Sequence, residues 1–561
     1  MSMSRRIHVV FIIFLIVFII IIIRLFYWQV INSDGLKGIA EKQISTTLDI
    51  PAQRGRIYSS DKSPLVINQR SYLVYLEPHK VKNINQTVKI ISKDLQTDES
   101  SISAKIMNNE LIWISVARKI SEDKMIKLKN EKLEGVGFIN EPKRFYPEAS
   151  MAAHLLGFVG KNTKGSDQGY FGVEGYYDNQ LRGRDGFIRI EKDVLGNPIL
   201  SGRYEEIPAE LGRDLVMTID RSIQFTAEKK LLEGVQKFGA KGGSVIILNP
   251  KTGAVLAMVS YPSFDPDDYV NYPSNYYKNP TVSSSYEPGS TFKVLVMAAA
   301  LNEGKIKPDT IYEENGPVEI GGYTINTWNQ KYHGKISISQ ILEYSSNVGM
   351  VFIESQLGDE NFIKYITQLG FGKLTDVDLE GESSPDLRPL NKWYKIDYAT
   401  ASFGQGIAVT PLQMIRAVAA VANGGMLLKP YVVQSIVTDG GKKIDTQPKV
   451  IRQVFKKEVA AMVTEMMVSA VDNGETRNLK PSGFRIAGKT GTAQIPIQGH
   501  YDAQKTIASF VGFAPVDDPK FIMLVTINEP TSSPWGSETA APVFFSIASE
   551  LFSYYGISPS S

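Results

Sequence analysis

Val9–Ile23 runs without a polar interruption, and after Arg24 the apolar character resumes through Leu25–Ile31. As a helix, residues 9–31 span roughly 35 Å, enough to cross a bilayer. Arg24 can then snorkel to the headgroups, with Tyr27 and Trp28 at the interface. Residues 32–210 lose this character and become mixed, polar and punctuated by glycine, which predicts short strands, turns and surface helices. Beyond them the pattern sharpens. Gly212 to Asp220 is strand-like, and Arg221–Phe238 has the spacing of an amphipathic helix. Gly243–Leu248 and Ala254–Ser260 flank Asn249-Pro250-Lys251-Thr252-Gly253 and predict a hairpin. Helices are predicted at Ser290–Leu301, Ile338–Tyr344, Val348–Leu357, Met414–Ala422, Val459–Val471 and Val543–Tyr554. Three further strands are predicted at Phe484–Thr492, Ile507–Phe513 and Phe521–Ile527. Together these give an α+β fold: a five-stranded antiparallel sheet, two strands from the hairpin and three from the end, flanked by helices with a helical insert.

Length and charge narrow the classes. A chain of 561 residues exceeds one ordinary domain. The expected division is a tail (1–8), a membrane anchor (9–31), a mixed domain (32–210) and an α+β domain (211–561). No small-x-small cleavage site follows the apolar stretch, so an uncleaved anchor is favoured over a signal peptide. Arg5-Arg6 on its short side argues for a cytoplasmic N-terminus, with all that follows residue 32 outside. A net charge of +2 gives no reason to expect nucleic acid. The chain has no cysteine, which excludes thiol catalysis and thiolate metal sites. Its five histidines are scattered without metal-ligand spacing, so no metal is expected.

The candidate chemistry centres on Glu287-Pro288-Gly289-Ser290-Thr291-Phe292-Lys293. Pro288-Gly289 breaks the preceding structure and leaves Ser290 in the first helical turn, where unpaired N–H groups meet developing negative charge. Lys293, three residues on, shares its face and can act as base if burial or a second cation lowers its pKa. The spacing alone is weak: Ser121-Glu122-Asp123-Lys124 has it too, within a charged segment, and is read as inert. Downstream stand Ser345-Ser346-Asn347 and Lys489-Thr490-Gly491-Thr492, the latter in an edge-like strand where Gly491 lets a ligand approach the backbone. In isolation Ser345 and Asn347 are ordinary turn or cap residues. The earlier Lys251-Thr252-Gly253 sits at a hairpin tip and is read as a turn.

Ser-x-x-Lys, Ser-x-Asn and Lys-Thr-Gly in this order resemble the signature of penicillin-binding proteins and serine β-lactamases. Pro51-Ala52-Gln53-Arg54-Gly55-Arg56-Ile57-Tyr58, Arg144-Phe145-Tyr146-Pro147 and Gly172–Asp178 with Leu181-Arg182-Gly183 extend the likeness to the pedestal (dimerisation-type) module of the class B family. That family usually carries Asp where Ser59 or Ser60 stands here. The resemblance implies a non-catalytic pedestal, a penicillin-recognising transpeptidase domain and no cofactor. It implies Ser290 as nucleophile, Lys293 as base and Ser345 as proton relay, with Asn347 orienting lysine and substrate. Lys489 would supply charge and depress the pKa of Lys293. Thr490 and Thr492, about Gly491, would hold the substrate carboxylate, and the backbone N–H groups of Ser290 and Thr492 would form the oxyanion hole. The implied reaction is D,D-transpeptidation of peptidoglycan stem peptides ending in D-Ala-D-Ala, imitated by β-lactams. Glu287-Pro288-Gly289-Ser290, Ser345-Ser346-Asn347-Val348-Gly349 and Ser402-Phe403-Gly404-Gln405-Gly406 resemble the division branch more than the elongation branch, and sporulation-type relatives share these features. The implied partners are the membrane, division proteins and a polytopic glycosyltransferase of the shape, elongation, division and sporulation (SEDS) group. A β-lactamase or D,D-carboxypeptidase of the same fold, and a non-catalytic division scaffold, stand as alternatives.

Overall fold

The computed structural model describes residues 3–36, 45–106, 114–163, 165–191, 204–497 and 500–559. The chain divides into two compact units, residues 1–53 with 183–212, and residues 54–182 with 213–561.

In the first unit the apolar stretch is helical from Met3 to Phe26 and continues as a wider turn over Tyr27–Ile31. The helix thus begins earlier than the hydropathy pattern alone predicts and takes up most of the expected tail. It is long and apolar enough to cross a membrane, and its side chains are exposed throughout. A three-stranded antiparallel sheet completes this unit, with Gly186–Glu191 paired to Ser45–Ile50 on one side and Tyr204–Ile207 on the other.

The second unit carries the remaining sheets. Its N-terminal part contains β1 (Ile57–Tyr58), β2 (Pro64–Gln69) and β3 (Lys143–Phe145). Here lies a buried ion cluster: the fully buried Glu174 accepts from Arg54 Nε (2.7 Å) and Arg144 Nε (2.8 Å). Burial alone would raise the Glu174 carboxyl; the two guanidiniums outweigh it and hold it below the usual range. Arg54 also reaches Asp178 at 2.7 Å. The arginines and carboxylates of the pedestal motifs thus pair with one another in the interior. Where the family usually carries Asp at position 59 or 60, Ser59 here donates from Oγ to the neighbouring Asp61, which also accepts from the Ser63 N–H at 3.0 Å.

After β4 (Asp214–Met217) comes α1 (Arg221–Lys237), capped by Asp220, whose side chain accepts from the N–H groups of Ser222 and Ile223. The hairpin β5 (Gly242–Leu248) and β6 (Val255–Tyr261) follows, with Lys251-Thr252-Gly253 in its turn and Lys251 paired to Asp518. The helical part includes α2 (Lys293–Asn302), α3 (Ile338–Glu343), α4 (Asn347–Leu357) and α5 (Pro411–Ala422). Then come β7 (Val433–Val437), β8 (Lys443–Asp445) and α6 (Lys457–Asn473). The chain closes with β9 (Ala487–Ile497), β10 (His500–Ala514), β11 (Phe521–Asn528) and α7 (Ala540–Tyr554).

Two sheets organise the unit. One has the order β8-β7-β4-β1-β2-β3, so strands on both sides of residue 210 share it. The other is the expected five-stranded antiparallel sheet, in the order β6-β5-β11-β10-β9. One face of it packs on α1 and α7 through Val245, Phe510, Val525 and Phe544, and the other on the helical part. Alternate residues of a strand serve opposite faces, which is why β5 and β11 are almost continuously apolar. The helix α2 is buried from Lys293 to Leu301, as a helix apolar on every side must be. The last strand, β9, lies at the sheet edge.

Candidate active site

Gly289 has φ +56, a left-handed conformation that favours glycine, and it starts a single 3₁₀ turn over Gly289–Thr291. Ser290 therefore sits in a tight turn ahead of α2, not in the α-helix itself. The turn lies against β9: a Cβ on Gly491 would come within 3.0 Å of the Pro288 carbonyl oxygen, and one on Gly289 within 2.8 Å of that of Thr492. Glycine at both positions lets the Ser290 and Thr492 peptides stand side by side.

Ser345 and Ser346 connect α3 to α4. Ser345 holds φ +54, a strained conformation for a non-glycine residue. Ser346 anchors it by capping α4, accepting from the Gly349 N–H at 2.8 Å and donating to Glu314. Glu314 is fully buried and also accepts from the His333 N–H at 3.0 Å. Asn347 is the first residue of α4, with its amide orientation set by donation from Nδ2 to the Asn326 carbonyl (3.1 Å).

The two lysines meet at Ser345. Lys293 Nζ lies 2.6 Å from the Ser345 carbonyl oxygen, 2.8 Å from Asn347 Oδ1 and 3.3 Å from Ser345 Oγ. Lys489 Nζ is 3.1 Å from the same Oγ and 3.1 Å from Thr490 Oγ1. Burial, reinforced by the charge of Lys489, holds Lys293 well below the ordinary lysine range, against the opposing pull of Glu475 and Glu314. Burial brings Lys489 down to about 8, again opposed by Glu475. A neutral Lys293 has two N–H bonds and one lone pair. The carbonyl and Oδ1 can only accept, so they take the N–H bonds and leave the lone pair for a hydroxyl proton.

Above the lysines opens a cleft of about 240 Å³ lined by Ser290, Ser345, Asn347, Thr490, Gly491 and Thr492. Every residue singled out from the sequence thus lines this cleft or lies directly beneath it. The catalytic-type contact expected between Ser290 and Lys293 is absent: among the described residues no hydrogen bond holds Ser290 Oγ. Thr492 Oγ1 accepts from the Gly536 N–H at 3.0 Å. The inert motifs stay apart, with Ser121 capping the helix Glu122–Asn130.

Sequence reasoning missed Glu475 and Glu314, which carry no motif, and the Trp328–Trp535 pair at the cleft, with ring centroids 5.1 Å apart. It also missed why Gly404 is needed. Gly404 has φ +82, and a Cβ there would lie 2.2 Å from the Gly289 carbonyl oxygen, while its own carbonyl accepts from the Gly289 N–H at 3.0 Å. Gly404→Ala is expected to displace the Ser290 turn and slow acylation about 100-fold, with the far-ultraviolet circular dichroism retained. A rate within about threefold of the parent would show that the turn tolerates the shift.

Comparison with known proteins agrees with this geometry. Residues 243–549 match the penicillin-binding protein transpeptidase domain, and residues 49–217 the penicillin-binding protein dimerisation domain. Stage V sporulation protein D of Bacillus subtilis is 34% identical over 96% of this chain and 83% of its own length. A peptidoglycan D,D-transpeptidase FtsI homolog of Mesostigma viride is 31% identical, covering 99% of this chain and 96% of its own. The crystal structure of penicillin-binding protein 2X from Streptococcus thermophilus superposes with a TM-score of 0.76 at 27% identity, covering 91% of this chain and 80% of that one. With its pedestal motifs, its edge-strand Lys-Thr-Gly and its two lysines joined at one serine, the chain belongs to the class B penicillin-binding proteins.

Proposed function

We propose that the chain is a serine D,D-transpeptidase that crosslinks peptidoglycan stem peptides through a Ser290 acyl-enzyme. The observation that carries this reading is the pair of buried lysines bridged by Ser345 Oγ beneath a cleft that opens on an edge strand. A donor peptide adds alongside β9 through main-chain hydrogen bonds. Its terminal carboxylate is held by Thr490 and Thr492, with Lys489 supplying positive charge. Ser290 Oγ attacks the penultimate D-alanine carbonyl as the Lys293 lone pair takes its proton, and the N–H groups of Ser290 and Thr492 stabilise the oxyanion. Ser345, in reach of both lysines, passes a proton to the departing D-alanine amine. An amine from a second stem then attacks the ester carbon, forming the new amide and returning the proton to Ser290.

The test uses the full chain in detergent with a stem peptide ending in D-Ala-D-Ala and an amine-bearing acceptor. Release of D-alanine together with a crosslinked product supports the reading. Release without crosslinking indicates a carboxypeptidase, and no release with no penicillin adduct indicates a scaffold.

The N-terminal helix serves as a single-pass membrane anchor, and Arg5-Arg6 favour a cytoplasmic N-terminus with the catalytic part outside. Likeness to a sporulation protein and to an FtsI homolog favours septal wall synthesis. A polytopic SEDS glycosyltransferase is the proposed partner, contacting the anchor and pedestal. Co-purification that survives replacement of both regions would sink that assignment.

A further inference from the structure

Glu314 ends the short strand Ile311–Glu314, which pairs with Gly334–Ser337 just before α3. It is fully buried, where a carboxylate without partners would be costly. Three donors satisfy it: the His333 N–H at 3.0 Å, His333 Nδ1 at 2.8 Å and Ser346 Oγ. An ionised carboxylate can only accept, so the ring proton of His333 sits on Nδ1. The same ring stacks on Tyr344 with centroids 4.1 Å apart, and Trp328 Nε1 donates to the Tyr344 carbonyl at 3.2 Å. The connection between α3 and α4 is thus gripped on both sides of Ser345, at Tyr344 before it and at Ser346 after it. Ser345 does not hold φ +54 by its own preference. Released, it would relax toward negative φ and carry its carbonyl away from Lys293 Nζ, now 2.6 Å distant. Lys293 would then lose one of the two acceptors that occupy its N–H bonds, and its lone pair would lose a fixed direction.

We propose that Glu314 is a positioning residue for acyl transfer: by holding Ser346 it keeps Ser345 in the left-handed conformation whose carbonyl leaves the Lys293 lone pair free for the Ser290 proton. This rests on the transpeptidase reading above and adds to it a group outside the three motifs. Glu314 does not line the cleft, so its effect falls on the rate of the chemical step and not on donor binding.

The experiment measures benzylpenicillin acylation of the full chain in detergent. It resolves the non-covalent dissociation constant from the acylation rate constant, between about pH 5 and about pH 10. Ser346→Ala cuts the link and leaves the carboxylate, but also removes the cap of α4. Glu314→Gln keeps the cap and the size, removes the charge, and can satisfy the donors on only one of its two sides. In both variants the rate constant is expected to fall about 10- to 100-fold, with the dissociation constant within about twofold of the parent. Glu314→Gln should also move the acid limb of the rate to lower pH. The Glu314 charge favours the protonated form of Lys293, and its removal leaves Lys489 and Glu475 as the charges acting on that lysine, with His333 deprived of its counter-charge. A merely structural defect would not move that limb. A parental rate constant in Glu314→Gln, a weaker dissociation constant in place of a slower rate, or an acid limb that stays in place would each overturn the proposal. A parent that forms no adduct would instead overturn the transpeptidase reading, so the two failures are separable.

Discussion

Ser290→Ala is expected to abolish the covalent penicillin adduct of the full-length protein, lowering acylation by about 10⁴-fold or more. Four side-chain hydroxyls of the recognised motifs face the cleft, and three are committed. Ser345 Oγ is shared by the two lysines, Thr490 Oγ1 lies between Lys489 and Glu475, and Thr492 Oγ1 accepts from the Gly536 N–H. Only Ser290 Oγ makes no hydrogen bond among the described residues, and its 3₁₀ turn presents it beside the Thr492 peptide. Intact-mass spectrometry after incubation with benzylpenicillin should show one adduct on the parent and none on the variant. Ser121→Ala, which removes a helix cap from the other Ser-x-x-Lys sequence, should leave the adduct in place. An adduct persisting on Ser290→Ala would move the nucleophile to Ser345 and require a different direction of attack.

The parts of this site that could be read from the sequence are those fixed by local chemistry. The hairpin shows in two β-branched runs about a Pro/Gly turn, and β10 and β11 in short apolar runs whose length and spacing suit antiparallel buried strands. The Lys-Thr-Gly edge follows because Gly491 weakens a strand unless something must approach it. What escapes is set by pairings across long separations. Leu215 pairs with Ile57 on one side and Ile436 on the other, and no local pattern in strands this short announces such partners. The same holds for Gly404, whose need for glycine arises from contact with Gly289. Glu475 and Glu314 are single carboxylates in unremarkable contexts; only the folded chain brings them within reach of the lysines. α2 begins at Lys293, later than the apolar pattern predicts, for a related reason: Gly289 at positive φ closes a 3₁₀ turn before α-helical bonding begins.

Lys293 and Lys489 differ in the protonation state the proposed reaction asks of them, and the acylation rate is expected to be bell-shaped in pH as a result. Lys293 must be neutral to accept the Ser290 proton, so the rate rises with pH through its depressed pKa. Lys489 must be charged to hold the donor carboxylate and to keep Lys293 neutral. Its proton is lost near pH 8, so the rate falls as pH rises through that value. Lys489→Arg keeps the charge to above about pH 12 and should remove this alkaline limb, even if the larger guanidinium lowers the maximum. Lys293→Ala should cost about 10²- to 10⁴-fold across the whole range and erase the acid limb. Second-order acylation constants for a β-lactam, measured from about pH 5 to about pH 10, separate these outcomes by shape, which a merely structural defect would leave unchanged. If the alkaline limb survives in Lys489→Arg, the group lost near pH 8 is not Lys489, and the charge holding the donor carboxylate must come from elsewhere in the cleft.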